Sequence, residues 1–168
     1  KNEFERIKDY VAWTMHSAQA IAVKVVNPGG ISAFKFNQRK LDLDEEHVYY
    51  HVTPRQIIVT LARALKELGV VHPLHVHGCN LGIPGNVETT LATIRATDGL
   101  PLHLTHIQFH SYGGGNGDEN TFNSKVIPLA EYVNSHSNIT IDVGQVLFGE
   151  TTSMTGDGPL GYYLANVY

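Results

Sequence analysis

Two short stretches concentrate the side chains that could do chemistry. HPLHVHGCN at 72–80 carries His72, His75 and His77, and HLTHIQFH at 103–110 carries His103, His106 and His110. Imidazole is a common transition-metal ligand and titrates near neutral pH. A third group is Lys24, set in AIAVKVVN between Ala22, Val23, Val25 and Val26. An ammonium in such a run is costly to bury unless it is neutralised, paired or modified. Burial favours the neutral amine, which can add to CO2. Its nitrogen bonds the carbon and sheds a proton, leaving a carbamate, a carboxylate able to bridge two metal ions.

The elements that must position these groups follow from periodicity. Phe4, Ile7, Val11 and Met15 predict a helix over 3–18, and 20–27 reads as a buried strand closed by the turn Pro28-Gly29-Gly30. Thr53, Pro54 and Gln56 form a helix-start signature, Ile57, Leu61, Leu65 and Leu68 a candidate inner stripe, and Gly69 a stop. Strands are expected at 73–79, 100–108 and 139–148. Helices are expected at about 87–97, capped by Asn86, and at 123–135, with Val126, Leu129, Ala130 and Val133 on one side. This α/β alternation predicts parallel strands joined by crossovers. A doubly wound sheet and a (β/α)8 barrel both fit. A complete barrel needs about 250 residues, so these four units would make roughly half of one.

Functional groups of parallel α/β folds collect at the C-terminal strand ends. His75 and His77 share a face, because strand side chains alternate, and His77 lies nearer that end. His75 takes its place if the register differs by two residues. On a straight strand His103 and His106 point to opposite faces. His106 lies nearer the C-terminal end, which leaves His103 facing the outer helices. Adjacent strands are about 4.8 Å apart, so Lys24, His77 and His106 could meet at one point. His110 opens the following loop, beside the site. His16, His47, His51, His72 and His136 read as surface or cap residues.

The composition suits one globular domain. The chain has 168 residues, 42% hydrophobic and 17% charged, with a formal net charge of −4. That balance gives no reason to expect nucleic acid or an anionic membrane as partner. No apolar run approaches the ~20 residues of a membrane span. The lone cysteine, Cys79, excludes an internal disulfide and points to a reducing, cytoplasmic compartment. A buried single thiol is usually inert. GGGNGDEN at 113–120 lacks the spacing of a phosphate loop and reads as a flexible loop, and TGDGP at 155–159 as a turn. The start at a helical pattern and the unmarked end suggest a piece of a longer chain, residues 1–168 forming a partial barrel domain.

The order of a lysine strand followed by two histidine strands resembles the middle of the amidohydrolase superfamily pattern. More closely, AVKVVNPGG, PLHVHGCNLGIPGN, LHLTHIQFHSYGG and ITIDVGQVLFGETTSMTGDGP resemble the A-type polypeptides of formylmethanofuran dehydrogenase through nearly the whole chain. The resemblance implies strands 4 to 7 of an amidohydrolase-type barrel with a binuclear zinc site. Lys24 would be the carboxylated bridging lysine, and His77 and His106 the ligands from strands 5 and 6. It implies interconversion of formate plus methanofuran with N-formylmethanofuran. The partners it implies are the other subunits of that complex, including one that carries molybdenum or tungsten. The departures are specific. Only 23 residues precede Lys24, so no His-x-His strand comes before it. No eighth strand follows, and Asp142, on the would-be seventh, is not assigned the catalytic aspartate. The remainder of the same polypeptide would supply those ligands. The corresponding polypeptide of a formyltransferase/hydrolase complex, another amidohydrolase such as a dihydroorotase or hydantoinase, and a non-catalytic degenerate barrel remain alternatives. A flavodoxin-like binding domain would need a phosphate-binding first loop.

Overall fold

The computed structural model describes residues 2–26, 41–115, 121 and 123–144. Helix α1 spans Glu3–Ala18, opened by the Asn2 side chain accepting from the Glu5 amide. Strand β1 is Lys24–Val26. Helix α2, Pro54–Leu68, has the expected start: Thr53 accepts from the Gln56 amide, the Gln56 side chain accepts from the Thr53 amide, and Pro54 fills the first turn. It stops at Gly69, whose φ of 68° favours a residue without Cβ. Then follow β2 (Leu74–His77), α3 (Val87–Ala96) and β3 (Leu102–Leu104). A 3-10 turn at Ile107–His110 leads into a small ribbon of β4 (Tyr112–Gly113) and β5 (Asn123–Ser124). Helix α4 (Val126–Asn134) and β6 (Ile139–Ile141) complete the described elements.

Strands β1, β2, β3 and β6 form one sheet in that order, every pair parallel. The order is sequential, without the reversal of a doubly wound sheet. Buried Leu74, Val76, Leu102, Leu104 and Ile139 join Val11, Ile58, Ala62, Leu65, Ile94 and Leu129 from the four helices in one core. The apolar strand face is therefore the helix face. The opposite face carries a cross-strand row of Lys24, His75, His103 and Thr140, set side by side by the register. No helix among the described residues is long and apolar enough to cross a membrane.

Several expectations shift. The inner stripe of α2 is Ile58, Ala62 and Leu65, while Leu68 is exposed, so the helix is rotated from the predicted face. On α4 Leu129 is buried but Val126 is exposed. Strands β2 and β3 are shorter than predicted, at Leu74–His77 and Leu102–Leu104. Asn86 precedes α3 without capping it; its side chain is committed to loop backbone. The turn at 28–30, most of GGGNGDEN, and everything from 145 onward, TGDGP included, lie outside the described residues.

Candidate metal centre

The open sheet face gathers five histidines in two layers. His77 ends β2, and its Nδ1 lies 2.7 Å from Nε2 of His106, with ring centroids 4.2 Å apart. His110, buried in the 3-10 turn, stands 5.7 Å from the His77 ring and stacks on His106 at 5.5 Å. One row toward the strand starts, His75 and His103 meet edge to face at 4.5 Å. His103 Nδ1 lies 2.8 Å from Thr140 Oγ1, and its Nε2 lies 3.0 Å from Asp142 Oδ2.

His77 and His106 therefore come together as the sequence suggested, by a route it did not show. The chain leaves β3 at Leu104, and His106 adopts φ 35° and ψ 56°. That left-handed conformation costs on the order of 1–3 kcal/mol for a residue with a side chain. It breaks the strand alternation and swings the ring back over the open face. His103 is consequently not turned toward the helices. It stays in the strand, half-buried on the same face as His75, so both His103 and His106 serve the site. His47 also departs from expectation. It is 1% exposed, its Nδ1 accepting from the amides of Tyr49 and Tyr50.

Lys24 faces the same side but is exposed: Val23 and Val25 pack on the helix face, while Val26 shares the open face with Lys24 and is itself exposed. It opens β1 beside His75, a row below His77. Its charge is near enough to depress both histidines. Asp142, one residue beyond β6, carries no expected role from sequence. Its one signal there is its place at the end of ITID, in phase with Thr140. Among the described residues, His75, His103 and Asp142 offer ligand atoms within 4.8 Å of one another.

Burial and neighbouring charges favour the neutral form of His75, His77 and His110. Burial, then the charges of His106 and Lys24, lower His77 to about 4. Burial, then His77 and His106, lower His110 to about 3, against a backbone contact with Cys79 that acts the other way. His75 is lowered by burial, His103 and Lys24. Burial pushes the Asp142 carboxyl up, but hydrogen bonds from the His106 amide and His103 outweigh it and leave it below its ordinary value. Burial, then the charge of Asp42, push the Cys79 thiol up to about 12, which disfavours a free nucleophilic thiolate.

Neutral imidazole is the metal-ligating form. Nε2 of His75 and of His77 is buried with no hydrogen-bond partner, and neither ring nitrogen of His110 makes a side-chain hydrogen bond. Such orphans are expensive unless another group completes them. Two nitrogens on one tetrahedral zinc lie about 3.3 Å apart, from Zn–N distances near 2.0–2.1 Å. The His77–His106 pair would open by roughly 0.6 Å to admit an ion, a rotamer-scale adjustment. The residues fit a divalent transition metal. In the lower layer, Thr140, His103 and Asp142 already satisfy one another.

No family model matches the chain. Two curated relatives do. Protein FwdA of Methanocaldococcus jannaschii is 43% identical over 166 residues, covering 92% of this chain and 29% of that protein. The FhcA polypeptide of the formyltransferase/hydrolase complex Fhc of Methylorubrum extorquens is 40% identical over 157 residues, covering 91% of this chain and 28% of the relative. These proteins are homologues of this chain. A crystal structure of the Methylorubrum extorquens FhcABCD complex with methylofuran contains a chain that superposes with a TM-score of 0.79 at 39% identity, over 87% of this chain and 27% of that one. The chain thus spans less than a third of the length of these relatives.

Proposed function

We propose that this chain is the ligand-bearing arc of an amidohydrolase-type (β/α)8 barrel, strands 4 to 7, in a polypeptide that interconverts an N-formyl amide with formate and the free amine. The observation that carries the reading is the convergence of His77 and His106 at the C-terminal ends of neighbouring parallel strands. The sequential strand order with helices on one face supports the barrel, as does the likeness to FwdA and FhcA. Methanofuran, or the methylofuran seen with the Fhc complex, is the substrate class in this reading. The partners are the remainder of the polypeptide and the other members of such a complex, with a molybdenum or tungsten protein where CO2 is reduced.

In this reading His77 and His106 hold a zinc centre of two ions, completed by ligands outside this chain, and Lys24 bridges as its carbamate. Its place on the open face beside His75 leaves the amine accessible to CO2. When bound, the ions supply Lewis acidity that polarises an acyl oxygen and acidifies water. The chain's own residues orient and dehydrate: His110 walls the centre from below, and Asp142 and Thr140 hold His103 and the His106 turn. The site works in the cytoplasm, where CO2-derived one-carbon units are handled.

The test uses the full chain that carries this segment. Anomalous scattering at the zinc edge should give two peaks within about 4 Å, beside His77 and His106, with density extending Lys24. His77→Ala and His106→Ala should each abolish formamide hydrolysis and lower zinc content. A plain Lys24 with metal only beside His75 and His103, or turnover that survives both substitutions, would refute it.

A further inference from the structure

We infer that Asp142 is a positioning residue that holds His106 in its ligating orientation, an inference that rests on the reading of His77 and His106 as a metal-binding pair. Three groups of Asp142 bracket the turn that carries His106. Its amide donates to the Leu104 carbonyl at 3.1 Å, and its carbonyl accepts from the Ile107 amide at 3.0 Å. Its Oδ1 accepts from the amide of His106 itself. The backbone contacts persist through substitution, so substitution isolates the carboxylate's bond to the His106 amide. The other oxygen, Oδ2, takes His103 Nε2 at 3.0 Å, and His103 is tied in turn to Thr140. The carboxylate therefore cannot swing away from His106 without also giving up its contact with His103 Nε2. Without an Oδ1 acceptor, the His106 amide loses its partner and the turn can relax toward the strand alternation, which carries the ring off His77.

The same geometry separates position from charge. Asparagine keeps an oxygen for the His106 amide and presents its NH2 to His103. His103 accommodates this by moving its proton to Nδ1 and donating to Thr140 Oγ1. Asp142→Asn should therefore keep the pair in place, whereas Asp142→Ala and Asp142→Leu should not. Outer-shell substitutions of this kind weaken metal binding by roughly tenfold to a hundredfold.

The experiment titrates zinc against a competing chelator in the full chain carrying this segment, for wild type, His77→Ala and the three Asp142 variants. Circular dichroism checks folding, and the visible spectrum of the cobalt form reads ligand geometry. The expected result is zinc affinity down roughly tenfold or more in Asp142→Ala, with a changed cobalt spectrum, and both near wild type in Asp142→Asn. Asp142→Leu, which fills the same space, replaces the alanine variant if that one does not fold. If neither folds, the inference stands or falls on Asp142→Asn binding as wild type. Wild-type affinity in the alanine or leucine variant overturns it. Equal loss in alanine and asparagine variants also overturns it, because the carboxylate would then bind the metal directly. Unchanged zinc binding in His77→Ala would instead overturn the underlying metal reading.

Discussion

Lowering the pH should unfold this chain through His110, and the size of the effect can be worked from its surroundings. His110 is 2% exposed, and burial with two neighbouring imidazoles lowers it from 6.5 to about 3. The folded value lies below the unfolded one, so the unfolded chain takes up the proton first. Stability is then fully present above about pH 6.5 and is lost as the pH falls toward 3, where the loss levels off. At pH 4.5 the difference in proton binding amounts to on the order of 3 kcal/mol by linkage, a large share of a domain's ~5–15 kcal/mol. His77, with its value near 4, adds in the same direction but less securely, since it is only half-buried. The perturbation is His110→Phe, which keeps a flat ring against Gly78, where an added Cβ would stand 3.3 Å from the imidazole. Urea titrations at pH 7.5 and 4.5, with chelator present to keep metal out, give the assay. Wild type should lose more stability than His110→Phe between the two pH values, by on the order of 3 kcal/mol. Equal losses in the two proteins would show that the His110 ring does not remain neutral in the folded chain, and would refute the reasoning.

Two further perturbations follow from the loops around the site. Asn86, 2% exposed, donates to the carbonyls of Asn80 and Phe109 at 2.9 and 2.7 Å and accepts from the Tyr112 amide at 2.9 Å. Asn86→Ala strands three backbone groups and should cost about 2–5 kcal/mol, with faster amide exchange at 109–112 read by mass spectrometry. An added Cβ at Gly144 would stand 2.9 Å from His106 Cβ and 3.0 Å from Gln108 Nε2. Gly144→Ala should cost about 1–3 kcal/mol of stability by overpacking, and displace His106 enough to weaken zinc binding in a chelator competition.

The legible part of this molecule is its local chemistry. Thr53, Pro54 and Gln56 define a helix start whose every contact is within four residues, and the structure contains it unchanged. The alternation of elements implies the parallel sheet, because crossovers are a local consequence of element order. What the sequence hides is long-range. The left-handed turn at His106 depends on an acceptor supplied by Asp142, 36 residues away, and nothing in THIQ announces it. His103 reads as facing the helices for the same reason: the alternation rule does not hold across a turn that ends the strand. Lys24 reads as buried because its neighbours are apolar, yet only Val23 and Val25 turn to the helix face, and Lys24 and Val26 lie on the open one.

That division of faces explains the density of histidines better than any single ligand assignment. A sheet whose helices all lie on one side has an open side that only a further part of the protein can cover. Apolar residues there would bind indiscriminately, and fixed charges would resist coverage. Imidazoles are compatible with both states, because they stay neutral when dehydrated and bond to one another, as His77 does to His106 and His75 approaches His103. His77 keeps a buried Nε2 without a hydrogen-bond partner, whereas His103, one row below, is tied to Thr140 and Asp142. Substituting His103 should therefore act on ligand geometry, whereas substituting His77 should remove a ligand itself. The two substitutions should separate as weakened against abolished zinc binding.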